Sequence, residues 1–156
     1  MAQRVYDRSM TTLDDFSRLL GQDGGLCVIT TLRSDLTLQS SVVNAGVMPH
    51  PTSGSQVVAL VARGGSRKLA HLRERPQTTV VMRVGWQWVA VEGTASLIGP
   101  DDPLPAFEGD ELRLLLRDVF TAAGGTHDDW DEYDRVMADD RRTAVFIAPT
   151  RVYSNG

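Results

Sequence analysis

The sequence has 156 residues, of which 42% are apolar and 23% charged, and a formal net charge of −4 at pH 7. That length fits a single domain over residues 1–156, large enough to bury a core without disulfides. The acidic balance argues against nucleic acid as a partner, because duplex binding usually shows a basic face. No run approaches the ~18 apolar residues of a membrane span.

In chain order, the opening stretch MAQRVYDRSM lacks the long apolar segment of a secretory signal, so a cytoplasmic protein is expected. TTLDDFSRLLGQDGG reads as a short helix. Thr11 or Thr12 can cap it, Asp14 and Asp15 suit the positive end of its dipole, and Leu13, Phe16, Leu19 and Leu20 recur at helical spacing. Gly24 and Gly25 end it. GLCVITTLRS is β-rich, with SDLT as a turn, and LQSSVVNAGVM continues as a second strand. Cys27, the one cysteine, reads as a small buried hydrophobe.

After the loop PHPTSGS, QVVALVAR is a clear strand. SRKLAHLRER follows as a short helix closed by Pro76, since proline disfavours helix in the residue before it. TTVVMRV is the next strand, and Gly85 turns the chain into WQWVAVEGTASLIG. In that alternating strand Trp86, Trp88, Ala90 and Glu92 share one face, while Val89, Val91 and Gly93 share the other, with Val89 and Val91 toward the core. Gly93 suggests a bulge. PDDPLPAFEGD is a loop. DELRLLLRDVFTAAGG is a helix beginning at Glu111, with Leu112, Leu115, Leu116, Val119 and Phe120 as its stripe. HDDWDEYDRVMADD is a further helix and RRTAVFIAPTRVYSNG a last strand. Closely spaced strands that do not alternate with helices predict a mainly β (α+β) fold, an antiparallel sheet or barrel with flanking helices.

No metal-ligand spacing is present: His50, His71 and His127 are scattered, and there is no HExxH or CxxC. Nucleophile-elbow and P-loop patterns are missing too. The acid pairs Asp128–Asp129 and Asp139–Asp140 read as solvated helix faces.

One junction stands apart. Lys68 is the only lysine, against fifteen arginines, and it follows Gly64, Gly65, Ser66 and Arg67 at a helix start. Glycines allow close backbone approach, the free amides of a helix start attract anions, and Ser66 adds a hydroxyl. Lysine binds phosphate as a compact point charge where arginine would need room for its fork. The plain alternative is an ordinary basic helix start, although cations there oppose the dipole. A second feature is WQW, whose two indoles can pack on a flat ring, in a core or against another subunit.

SRKLAHLRERPQTTVVM, followed by WQWVAVEGTASLIGPDD and HDDWDEYDRVMADDRRTAVFIAPTRVY, resembles the pyridoxamine 5'-phosphate oxidase-like split β-barrel superfamily over residues 26–153. It is most similar to the actinobacterial branch that uses the deazaflavin coenzyme F420. The resemblance implies an FMN-binding-like split β-barrel with flanking helices, a homodimer, and two cofactor grooves between subunits. By the same resemblance Gly65, Ser66, Arg67 and Lys68 would hold the cofactor phosphate. Gln39 and Ser41 would face the ring, and Trp86 and Trp88 would lie in the region the other subunit contributes.

His71 stands where family members commonly carry asparagine, and Ser66-Arg67-Lys68 replaces a common arginine-x-lysine pattern. The implied activity is an F420-dependent oxidoreductase that transfers a hydride to an unsaturated small-molecule substrate. The alternatives are an FMN-binding oxidoreductase of the same fold and a non-catalytic deazaflavin or flavin carrier. F420 carries a glutamate tail, for which Arg63, Arg73 and Arg75 are candidates.

Overall fold

The computed structural model describes residues 11–156; the opening stretch read above as free of a secretory signal lies outside them. The order of elements is the one expected from the sequence. Helix α1 (Leu13–Gln22) is followed by strands β1 (Leu26–Leu32), β2 (Leu38–Pro49) and β3 (Gln56–Ala62). Then come α2 (Arg67–Glu74), β4 (Gln77–Val84), β5 (Gln87–Ile98), α3 (Asp110–Ala122), α4 (Trp130–Asp139) and β6 (Thr143–Ser154). The six strands close into a barrel in the order β1-β2-β3-β6-β5-β4, with every neighbouring pair antiparallel.

Strand periodicity sorts side chains to the inside and outside. Cys27, Ile29, Val58, Leu60, Val80, Met82, Val89, Val91, Val145 and Ile147 fill the interior. Phe16, Leu19 and Leu20 of α1 and Leu69 and Leu72 of α2 join the same core. Each fully buried Leu or Phe contributes about 1.5–3 kcal/mol over leaving it exposed. Strand β3 is buried on both faces because its outer residues Val57 and Ala59 pack with Leu115, Leu116 and Val119 of α3.

Val89 and Val91 point inward as expected, and the β5–β6 register shifts between Glu92 and Gly93, where the glycine predicted a bulge. Trp86 is a correction. It lies in the two-residue turn between Val84 and Gln87 rather than in the strand, because Gly85 takes φ 60° and closes the hairpin one residue later.

Helix ends follow the local chemistry. The Thr12 N–H donates to the Asp15 carboxylate at 2.8 Å, and the Gly25 N–H closes α1 on the Leu20 carbonyl at 2.9 Å. Asp129 caps α4 by accepting from the Glu132 N–H at 3.1 Å. The end of α4 is less usual, with Arg141 at φ 50° where glycine is the common choice. The Arg141 and Arg142 amides donate back to the Ala138 and Met137 carbonyls, which holds that turn. Among the described residues no helix is long and apolar enough to cross a membrane.

Candidate functional site

The strand–Gly–Gly–Ser junction at the start of α2 is shaped by two different glycine requirements. Gly64 donates its N–H to the Asp140 carbonyl at 3.0 Å, and an added Cβ there would stand 2.6 Å from the Arg141 carbonyl oxygen. This contact seats the β3–α2 link on the α4–β6 link. Gly65 has open space around it but takes φ 79°, the left-handed region that favours glycine. The resulting tight turn, closed by the Ser66 N–H on the Arg63 carbonyl, delivers the chain into α2 with Ser66 as N-cap.

The cap is unusual. Ser66 makes no capping hydrogen bond, and its Oγ is buried without a partner. The first-turn amides of a helix have no intrahelical acceptor either. Lys68 stands in that first turn, partly buried, and among the described residues its ammonium makes no hydrogen bond or ion pair. An orphaned hydroxyl, free amides and an unpaired ammonium at one helix start suit an anion.

Lys68 lines an open groove of about 390 Å³. Its lining includes Val42, Val43 and Asn44 of β2, Val119 and Phe120 of α3, and Tyr133 of α4. Arg63 and Arg142 bring two further cations to it. Asp140 serves both: its carboxylate accepts from Arg142 Nη2 at 3.1 Å and lies 3.9 Å from Arg63 Nη2. Tyr133 donates its hydroxyl to the Leu116 carbonyl at 3.1 Å, and burial pushes its pKa up to about 12, so it remains a neutral wall.

The other candidates fall at different distances from this groove. Gly65, Ser66, Arg67 and Lys68 are brought together by the turn itself. Gln39 and Ser41 belong to the inward row of β2, opposite Thr31 and Ile29, and the β2 residues that line the groove lie further along the strand, Val42 to Asn44. Gln39 Oε1 is buried without a partner. His71 bonds through Nδ1 to Thr31 Oγ1 at 2.9 Å, tying α2 to β1.

Trp86 and Trp88 line a second, larger groove of about 1030 Å³ on the bare outer face of β1, β4 and β5, together with Leu26, Val28, Val81 and Tyr153. Val42 lines both grooves, so they adjoin. This face leaves large apolar groups in solvent, with Trp86 93%, Val42 66% and Leu26 47% exposed.

Two of the tail candidates are occupied elsewhere. Arg73 makes a two-pronged bond to Asp102, at 2.8 and 2.7 Å, and Arg75 pairs with Glu74 at 3.2 Å. Arg142 is the residue that sequence reasoning missed. It is 74 positions from Lys68, and the two segments meet where the β3–β6 ladder ends, at Ala62 opposite Thr143, and at the Gly64–Asp140 contact beyond it.

The architecture matches solved structures. No family model matches the chain. The conserved hypothetical protein Rv2991 from Mycobacterium tuberculosis superposes with a TM-score of 0.67 at 16% identity, over 94% of this chain and 86% of that one. A pyridoxamine 5'-phosphate oxidase-related, FMN-binding protein from Nostoc punctiforme gives 0.59 at 10% identity, over 90% and 80%. The fold is the split β-barrel of the pyridoxamine 5'-phosphate oxidase type. A NimC/NimA family protein from Clostridium acetobutylicum shares it at a TM-score of 0.55 and 10% identity, over 97% of this chain and 99% of that one. At these identities the likeness is one of fold.

Proposed function

We propose that this chain is an oxidoreductase that binds a phosphate-bearing tricyclic redox cofactor, coenzyme F420 in the first reading, and works as a homodimer. The observation that carries the proposal is the unpaired Lys68 ammonium beside the orphaned Ser66 hydroxyl at the α2 N-terminus, facing a groove with Arg63 and Arg142. These groups fit a phosphate: point charge, hydroxyl donor and free amides converge, and no carboxylate of the described residues pairs with Lys68.

The apolar walls Val43, Val119 and Phe120 suit the flat body of such a molecule. When bound, the ring would supply the hydride chemistry, with an unsaturated organic compound as acceptor. The chain's own contribution is to fix the phosphate through Lys68 and Ser66 and to limit water along the groove. A second copy docked on the outer face would bring Trp86 and Trp88 to its partner's groove. The exposure of Trp86, Val42 and Leu26 supports that docking.

A second reading, FMN as cofactor, is favoured by the pairing of Arg73 with Asp102 and of Arg75 with Glu74. That leaves Arg63 and Arg142 as the groove arginines for a glutamate tail. Calorimetric titration with F420 of short and long tails and with FMN, at low and high salt, separates the two. Tighter F420 binding with a gain from tail length supports the first reading. FMN binding as tight or tighter at both salts replaces it with the second. Failure of both cofactors to bind removes the proposal, and light scattering that gives a monomer mass removes the dimer.

A further inference from the structure

Trp86 sits at the tip of the β4–β5 turn with almost its whole surface in solvent, and Trp88 begins β5 beside it. The exposed indole gives this two-residue turn little packing of its own. Here it is held from outside. Asn155, just beyond β6, donates its Nδ2 to the Trp86 carbonyl at 2.6 Å and accepts the Trp88 N–H on its Oδ1 at 3.1 Å.

The β5–β6 ladder pairs Val89 with Ser154, so the next rung would set Asn155 opposite Trp88. The side-chain carboxamide carries one donor and one acceptor in the geometry of a peptide group. It therefore extends the ladder onto the turn, where β6 itself has stopped. The Trp88 ring also meets Tyr153 edge-on, with centroids 6.0 Å apart. Only the backbone of residue 86 is fixed this way; the indole projects free.

We propose that Asn155 is a positioning residue for the aromatic turn that one copy of this chain offers to the other. The inference rests on the homodimer reading above. Fixing the backbone beforehand matters because it removes part of the ordering cost that an interface aromatic meets on association. A merely structural Asn155 would stabilise the fold and leave association alone.

The test is a double-mutant cycle on the dimer dissociation constant, by sedimentation equilibrium of the full chain. The variants are Asn155→Ala, Trp86→Ala and the pair, each checked by a thermal melt. If Asn155 acts through Trp86, Asn155→Ala raises the constant roughly tenfold and adds less than about twofold when Trp86 is already alanine. Asn155→Asp should move in the same direction, because its carboxylate keeps the Trp88 N–H bond but opposes the Trp86 carbonyl. A dimer constant within twofold of wild type for Asn155→Ala overturns the proposal, as do effects of the two substitutions that simply multiply. A wild-type chain that is monomeric at about 100 μM overturns the dimer reading itself. Loss of cofactor binding in Lys68→Ala with an unchanged dimer constant keeps the two questions apart.

Discussion

Replacing Lys68 by alanine separates the proposed anion site from the fold. The ammonium has no partner among the described residues, so truncation strands no buried carboxylate. The expected loss of folding stability is under ~0.5 kcal/mol, as for a substitution that breaks no network. Binding should respond differently. A charge-assisted hydrogen bond to a phosphate contributes about 1.5–3 kcal/mol, which is roughly a ten- to 150-fold increase in the dissociation constant.

Lys68→Arg should recover only part of this, because a planar fork does not reproduce the contact a compact ammonium makes. Arg142→Ala makes the contrast. It removes a groove cation and also takes away the closer of the two arginines on Asp140, so both folding and binding should suffer. The assay is cofactor titration at two ionic strengths beside a melt of each ligand-free variant. Exposed charges are screened over ~10 Å at 0.1 M salt. The Arg63 contribution should therefore fade with salt while that of the more enclosed Lys68 persists. Unchanged affinity of Lys68→Ala for F420 and FMN would refute the reasoning, and so would a melt lowered as much as that of Arg142→Ala.

Other outcomes can be read in parallel. Ser66→Ala should leave the ligand-free melt unchanged or slightly raised, because this N-cap makes no capping bond, whereas an ordinary serine cap loses about 1 kcal/mol; a clear drop would show that its Oγ is used within the fold. Cys27 should resist iodoacetamide at pH 8 in the native state, since burial pushes its pKa up to about 12, and labelling should appear only with denaturant. Gly46→Ala would place a methyl 2.1 Å from the Ala122 carbonyl oxygen, and overpacking of about 1–3 kcal/mol should lower the melt by several degrees. Asp134 is held below the usual carboxylate range by Arg117 first and Arg113 second. Its contribution is therefore complete above the unfolded value of ~3.9 and lost as pH falls through the lower folded value. The gap in melting temperature between wild type and Asp134→Asn should be open at pH 7 and close below pH 4; a constant gap would contradict this.

What the sequence made legible was what local chemistry decides. The order of ten elements, the inward row of Val89 and Val91 and the bulge at Gly93 follow from periodicity and from glycine's lack of a side chain. The residues of the proposed anion site, 65–68, could be grouped from the sequence because one turn brings consecutive residues together. The β2 wall of the groove was not, because it lies at Val42 to Asn44, and which stretch of β2 lines a groove depends on where the distant helix α3 packs on the strand. Trp86 was misplaced by one residue: the pattern of WQW continues the alternation, but the turn closes after it.

Arg142 shows where such reading stops. Nothing in DDRRTAVF marks it, and the link to Lys68 runs through the β3–β6 ladder, which ends at Ala62 opposite Thr143, and the backbone contact of Gly64 with the α4–β6 turn. That contact also bears on why a chain of arginines keeps one lysine. Arg142 donates to the Asp140 carboxylate at 3.1 Å and Arg63 lies 3.9 Å from it, so this one carboxylate already faces two guanidiniums. A third fork at position 68 would compete for the same acceptor, since a guanidinium favours paired bonds to a carboxylate. An ammonium on a flexible stem instead stays in the first turn of α2, and the groove keeps a cation that no carboxylate of the described residues pairs with. A Lys68→Arg variant that pairs with Asp140, seen as a rise in the melt together with loss of anion affinity, would bear this out; full affinity in that variant would refute it.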